Sequence, residues 1–226
     1  RDPNIQSILW AKKEFRECSS GPSIGDDIPV IDKFFNTQVF FQRYVTAYGS
    51  CCLFYEPGSG KTGAYRCYQQ YMSKNRPEEI TKFYYVSPKA QINEFNEQIS
   101  TVFGDLYKTS VTSNGHKGTH KGHVRKYVTS QNFEAHTYEG FATMIDKMRN
   151  EDIIKKFASA VLFIDEIQFM KLSESIDMSD KKERKRLITY KSFWRLSLLC
   201  PTCIIIISTG KPMTNKPNEL LYHVNL

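Results

Sequence analysis

Apolar positions fall into short runs set between stretches of helical spacing. Cys51–Tyr55, Lys82–Ser87, Val161–Ile164 and Cys203–Ile207 read as strands, and the last two are continuous enough to be buried on both faces. Phe34–Tyr48 carries aromatic and aliphatic residues at the spacing of a helix that packs on a core. Further helices are predicted over Ile5–Cys18, Lys61–Ser73, Lys89–Phe103, Phe141–Met148 and Lys191–Leu199, and short strands over Tyr127–Thr129 and Glu134–Thr137. Residues 109–126, rich in Gly, His, Lys, Ser and Thr, read as a loop or an exposed hairpin, and residues 171–186 are heavily charged. From Gly210 a tail holds Pro212 and Pro217, then a short amphipathic piece, Glu219–Leu226. Strands alternating with helices predict an α/β domain whose mostly parallel sheet is flanked by helices. No internal repeat interrupts this order.

Composition narrows the picture. With 226 residues, 40% of them hydrophobic, the chain suits one core and one domain better than two. A formal charge of +7 favours polyanionic partners, nucleic acid or a membrane surface. No apolar run approaches the roughly 20 residues that span a bilayer. Ile8–Trp10 is short and is followed by Lys12, Lys13 and Glu14, which is not a signal-peptide pattern. A soluble, intracellular protein without a membrane partner is the expectation. Among six cysteines, Cys200 and Cys203 form a lone CxxC with no second pair to complete a zinc site, so buried, reduced thiols are expected.

Candidate chemistry begins at Glu56-Pro-Gly-Ser-Gly-Lys-Thr62, between an apolar run and a helical one. Small residues at Gly58, Ser59 and Gly60 let backbone N–H groups approach a polyphosphate, and the next helix adds its positive N-terminal dipole. Lys61 can reach the β- and γ-phosphates, and the Thr62 hydroxyl can ligate Mg²⁺. The full pattern has a glycine six residues before the lysine; here that position is Tyr55. A second constellation, Val161-Leu-Phe-Ile-Asp-Glu-Ile-Gln168, ends a buried run on two acids. Such a pair divides the labour of phosphoryl transfer: Asp165 holds Mg²⁺ through water and Glu166 accepts a proton from the attacking water. Gln168 is placed to sense the γ-phosphate.

These segments resemble superfamily 2 helicases, whose phosphate loop often lacks the first glycine. Glu56–Thr62 is similar to their motif I and Asp165–Gln168 to motif II of the DExH/DExQ type. Phe35–Tyr44 resembles the segment upstream of motif I, with Gln38 in the base-sensing position. Tyr84–Lys89, followed by Phe95 and Ile99, resembles motif Ia, and His136–Phe141 the region of motif Ib. Ser208–Asn215 resembles motif III, with Lys211 standing where a small residue is usual before the proline. Within the superfamily the pattern is closest to poxvirus-type transcription ATPases of large cytoplasmic DNA viruses, over roughly residues 34–226.

The resemblance implies a RecA-like P-loop NTPase domain over residues 31–226, after an N-terminal extension of residues 1–30, using ATP and Mg²⁺. It implies coupling through Thr209 and Gly210, and nucleic-acid contacts near Ser87, Pro88, Lys89 and Thr137, with DNA favoured over RNA. Lys89 reads equally well as a solvated surface lysine. Motifs IV to VI, including an arginine finger worth about 10³–10⁵ in turnover, lie on a second lobe expected to be absent from this chain, so weak hydrolysis is expected of it alone. Transcription-machinery subunits are the implied partners, in host cytoplasm or virion. A replicative or repair helicase and a nucleotide-binding scaffold stay open as alternatives. His116–Lys126 is open between a solvated loop, a nucleic-acid contact and a metal site, and residues 181–186 read as a solvated charge run.

Overall fold

The computed structural model describes residues 11–12, 34–56, 58–80, 82–95, 133–170 and 179–210. Its elements are α1 (Asn36–Tyr48), β1 (Cys51–Phe54), α2 (Lys61–Asn75), β2 (Lys82–Ser87), a helical segment over 89–95, β3 (Phe133–Thr137), α3 (Tyr138–Asp146), α4 (Asn150–Phe157), β4 (Ala160–Ile164), a 3₁₀ turn (Ile167–Met170), α5 (Lys181–Leu199) and β5 (Ile204–Thr209). The expected elements over 109–126, 127–129 and 219–226, that over 5–18 apart from residues 11–12, and the end of the helix expected to reach Phe103 lie outside the described residues.

Among the described residues the strands form one five-stranded sheet in the order β1-β5-β4-β2-β3. Every pairing is parallel, with Phe54 beside Thr209, Ile164 beside Ile207, Val86 beside Ile164 and Ser87 beside Thr137. A parallel sheet needs a crossover between successive strands, and each crossover lays a helix on one face. The two faces are read off the period-2 alternation of the strands. Tyr84, Val86, Leu162, Ile164, Ile205 and Ile207 pack with residues of α3, α4 and α5 such as Phe141, Ile153, Phe157, Phe193 and Leu196. Phe83, Tyr85, Val161, Phe163 and Ile206 pack against Phe41 and Val45 of α1 and Tyr65, Tyr68 and Met72 of α2. Burying each such ring contributes on the order of 2 kcal/mol.

Several boundaries differ from expectation. The helix expected over 141–148 begins at Tyr138, because Thr137 caps it by accepting from Gly140 N at 3.1 Å. The helix expected from Lys191 begins at Lys181, where the Asp180 carboxylate accepts from Lys182 N at 2.7 Å, so the charge run 181–186 is helical. The last strand runs to Thr209 rather than ending at Ile207. α4 was not anticipated. Arg195 of α5 ties it to α3: the guanidinium donates to Ile145 O (3.1 Å), Met148 O (2.8 Å) and Asn150 Oδ1 (2.7 Å). The described cysteines are free thiols, but Cys52 is exposed rather than buried, since β1 is an edge strand with one covered face. No described helix is long and apolar enough to cross a membrane.

An acidic bridge fastens the other sheet edge. Glu134 on β3 meets Lys82 Nζ at 2.6 Å and His136 Nε2 at 2.9 Å. The His136 hydrogen bond, aided by Lys82 against the cost of burial, holds the Glu134 carboxyl down at about 2. A depressed carboxyl stabilises the fold fully above its unfolded value and loses that contribution as pH falls toward the folded one. Glu134→Gln is therefore expected to lower thermal stability at pH 7 by at most about 1 kcal/mol, since the partners are about a quarter exposed. The gap from the parent should close between roughly pH 4.5 and pH 2, as melting curves across that range would show.

Candidate active site at the carboxyl edge of the sheet

Because all strands are parallel, their carboxyl ends share one edge, the usual place for a ligand in an open α/β sheet. Each expected site segment emerges there: the phosphate loop after β1, Ser87–Lys89 after β2, Thr137 closing β3, Asp165–Gln168 after β4 and Thr209–Gly210 closing β5. Strand order sets their spacing. β5 lies between β1 and β4, so its last residues stand between the phosphate loop and the acidic turn.

In the loop, Gly58 (φ +80°) and Gly60 (φ +87°) take left-handed backbone that favours glycine. Gly60 precedes the first turn of α2, and Tyr55 N donates to Thr209 O at 3.3 Å, anchoring the loop to β5. Gln38 braces the loop from below. It is buried, its Oε1 accepts from Phe35 N at 2.9 Å, and its Nε2 donates to Gly60 O at 3.1 Å. The side chain expected at a base-sensing position thus binds the loop backbone itself.

The acidic turn faces the loop across β5. Lys61 Nζ donates to Glu166 Oε1 at 2.8 Å. Glu166 Oε2 accepts from Gln168 Nε2, and Gln168 Oε1 in turn accepts from the Thr209 hydroxyl. Lys61, Glu166, Gln168 and Thr209 form one continuous chain. Glu166 has φ +56° without being glycine. Such backbone costs on the order of 1–3 kcal/mol and is tolerated where surrounding contacts impose it. Burial raises the Glu166 carboxyl, but Lys61 and Gln168 outweigh it, and the net shift is downward. Glu166 is accordingly ionised and neutralised by Lys61.

Asp165 is held differently. Its carboxylate is buried; Oδ1 accepts from the Ser208 hydroxyl and from Glu166 N (3.0 Å), and Oδ2 from the Tyr85 hydroxyl (2.7 Å). Its backbone N donates to Val86 O at 2.8 Å, and its carbonyl accepts from the Tyr138 hydroxyl. Desolvation pushes the carboxyl above its ordinary range, opposed by the Ser208 and Tyr85 hydrogen bonds. A carboxylate has about four acceptor positions; with three donors in place among the described residues, Oδ2 keeps one that a Mg²⁺-bound water would fit. Thr62, one helical position after Lys61, is half-buried. These two oxygens are too few to hold Mg²⁺ alone but suit an ion that keeps waters and phosphate oxygens among its six ligands. The donor set thus fits Mg-nucleotide.

The remaining expected residues lie on the same edge with different access. Ser87 is fully buried and Lys89 is exposed, while Thr137 is half-buried with its hydroxyl engaged in the α3 cap. Gly210 closes β5, and its backbone hydrogen-bonds Glu166. The sequence reading missed Tyr85 and Tyr138, which sit in apolar surroundings where an aromatic reads as core.

The fold is that of RecA-like helicase cores, and the chain is helicase-like. It is 29% identical over 103 residues, 46% of its length, to the Frog virus 3 (isolate Goorha) protein named "Putative helicase 009L", and spans about 10% of that relative. Over 94% of the chain the fold matches the crystal structure of the DUF1998 helicase MrfA, with a TM-score of 0.55 at 15% identity, covering 31% of MrfA. Over 82% of the chain it is similar to the Sulfolobus solfataricus SWI2/SNF2 ATPase core solved in complex with dsDNA, with a TM-score of 0.47 at 15% identity, covering 34% of that chain. No protein-family profile matches the chain.

Proposed function

We propose that the chain is the ATP-binding lobe of a nucleic-acid-dependent helicase or translocase. The observation that carries this reading is the 2.8 Å pairing of Lys61 with Glu166, which joins the phosphate loop to the acidic turn across β5. In this reading Lys61 takes the β- and γ-phosphates, with the backbone of Gly58–Thr62 around them. Thr62 and Asp165 hold Mg²⁺, which neutralises phosphate charge when bound. As the phosphates claim Lys61, Glu166 loses its neutralising partner and becomes the stronger base toward the attacking water. Gln168 moves with Glu166, and Thr209 and Gly210 carry that change into β5.

Single-stranded or duplex nucleic acid would lie along the same edge near exposed Lys89, consistent with the net charge of +7. The surface this reading requires opposite the loop is a second RecA-like lobe. Service in viral transcription, with DNA as the strand, rests on the motif resemblance and is supported by the likeness to a viral protein named as a helicase.

Titrating a fluorescent ATP analogue with Mg²⁺ tests the site, and phosphate release with and without single-stranded DNA, duplex DNA and RNA tests the partner. The parent should bind, and Lys61→Ala should bind about 10-fold more weakly, as expected for losing a charged hydrogen bond. Release stimulated by one nucleic acid names the strand, and a forked duplex separates unwinding from translocation. Absence of nucleotide binding by the folded parent would overturn the proposal.

A further inference from the structure

Tyr84 and Tyr85 are neighbours on β2 with opposite fates. Tyr84 points to the α3 side of the sheet, where its hydroxyl is buried with no hydrogen-bond partner among the described residues. Tyr85 points to the α2 side and gives its hydroxyl to Asp165 Oδ2 at 2.7 Å. Its ring is immobilised by aromatic packing: it stacks on Phe95 (centroids 3.8 Å apart, 8° between planes) and on Phe163 (5.7 Å, 16°), with Tyr65 tilted against it at 6.2 Å. A hydroxyl on a ring so confined has almost no freedom to leave its acceptor, and this is how a supporting shell fixes a functional group. From the other face Tyr138, packed on Phe193, holds the Asp165 carbonyl. The residue is gripped from both sides of the sheet.

We propose that Tyr85 is a positioning residue for the Mg²⁺-holding carboxylate of Asp165. Its hydroxyl sets the rotation of the carboxyl group so that the remaining acceptor position of Oδ2 meets a metal-bound water. The inference rests on the nucleotide-binding function proposed above. It adds a residue outside the phosphate loop and the acidic turn, acting through Asp165 rather than on the nucleotide.

Tyr85→Phe keeps the ring and its stacking and removes only the donor. Binding of a fluorescent ADP is measured as Mg²⁺ is varied, and again in EDTA, for the parent, Tyr85→Phe and Tyr84→Phe, with a melting curve for each. The Mg²⁺ concentration for half-maximal tightening should rise about 10-fold in Tyr85→Phe, the lower end of what supporting-shell changes cost metal sites. Binding in EDTA should stay at the parent value. Tyr84→Phe, which removes an orphan hydroxyl, should need no more Mg²⁺ than the parent. An unchanged Mg²⁺ requirement in a Tyr85→Phe chain that binds nucleotide would overturn the positioning role, and a lowered melting temperature alone would mark the hydroxyl as structural. If the parent binds no nucleotide with or without Mg²⁺, the function proposed for the site fails, and this inference with it.

Discussion

Glu166→Gln is expected to bind Mg-nucleotide as the parent does and to release phosphate about 10²–10⁴-fold more slowly. The glutamine keeps an oxygen at the position that accepts from Lys61 at 2.8 Å, and its size and backbone demands match those of glutamate at φ +56°. The loop and the turn therefore stay joined. What disappears is the group proposed to take the proton from water, and a positioned general base contributes about that factor. Single-turnover phosphate release at saturating Mg-ATP, beside equilibrium binding of the same preparations, separates the two effects. A parent-like rate would mean that another group activates water. A pH series sharpens the test. Lys61 and Gln168 outweigh burial and hold the Glu166 carboxyl below its ordinary range in the free chain, and in the proposed mechanism the phosphates draw Lys61 away and let it relax upward. The acid limb of the parent's release profile should lie at higher pH than the low value of the free chain, and Glu166→Gln should have no such limb.

Gly63→Ala is the second large effect. At an exposed helical position alanine stabilises by up to about 1 kcal/mol over glycine. Here a Cβ would sit 2.2 Å from Gln38 Nε2 and 3.0 Å from its Cδ. The amide cannot retreat without giving up its bond to Phe35 N at the start of α1 and its bond to Gly60 O, which joins α1 to the phosphate loop. Overpacking of this kind costs about 1–3 kcal/mol, so Gly63→Ala should melt below the parent and bind nucleotide less well. Gln38→Ala removes the obstacle. In that background Gly63→Ala should be neutral or stabilising, giving a coupling well outside additivity. Chemical denaturation of the four chains measures it, and stabilisation by Gly63→Ala with Gln38 in place would refute the brace.

Much of the architecture was legible because it depends on local order. Strand, glycine loop and helix in succession gave the β1–loop–α2 unit that carries the candidate phosphate loop, and an unbroken apolar run ending in two acids gave β4 and the turn that carries Asp165 and Glu166. Where packing or capping decides, less could be read. α4 buries only Ile153 and Phe157, too few positions to show a period. The first two turns of α5 are almost wholly charged, and only the cap gives them away: Asp180 with Glu183 three residues on has the spacing of a capping box. Tyr85 and Tyr138 fall inside motif-like segments, but nothing local marks their hydroxyls as partners of Asp165: the pairing of β2 with β4 brings up the first, and α3 brings up the second. Gln38 was found by pattern, yet its hold on Gly60 follows from how α1 crosses α2.

The one-sided placement of the site bears on how the proposed motor can be handled. α2 leaves the phosphate loop and runs away from it, so exposed Lys74 near its far end stands on the order of 20 Å from the proposed nucleotide site. A surface tether or dye attached there would report on single molecules without crowding the edge where ligand, strand and second lobe are proposed to meet.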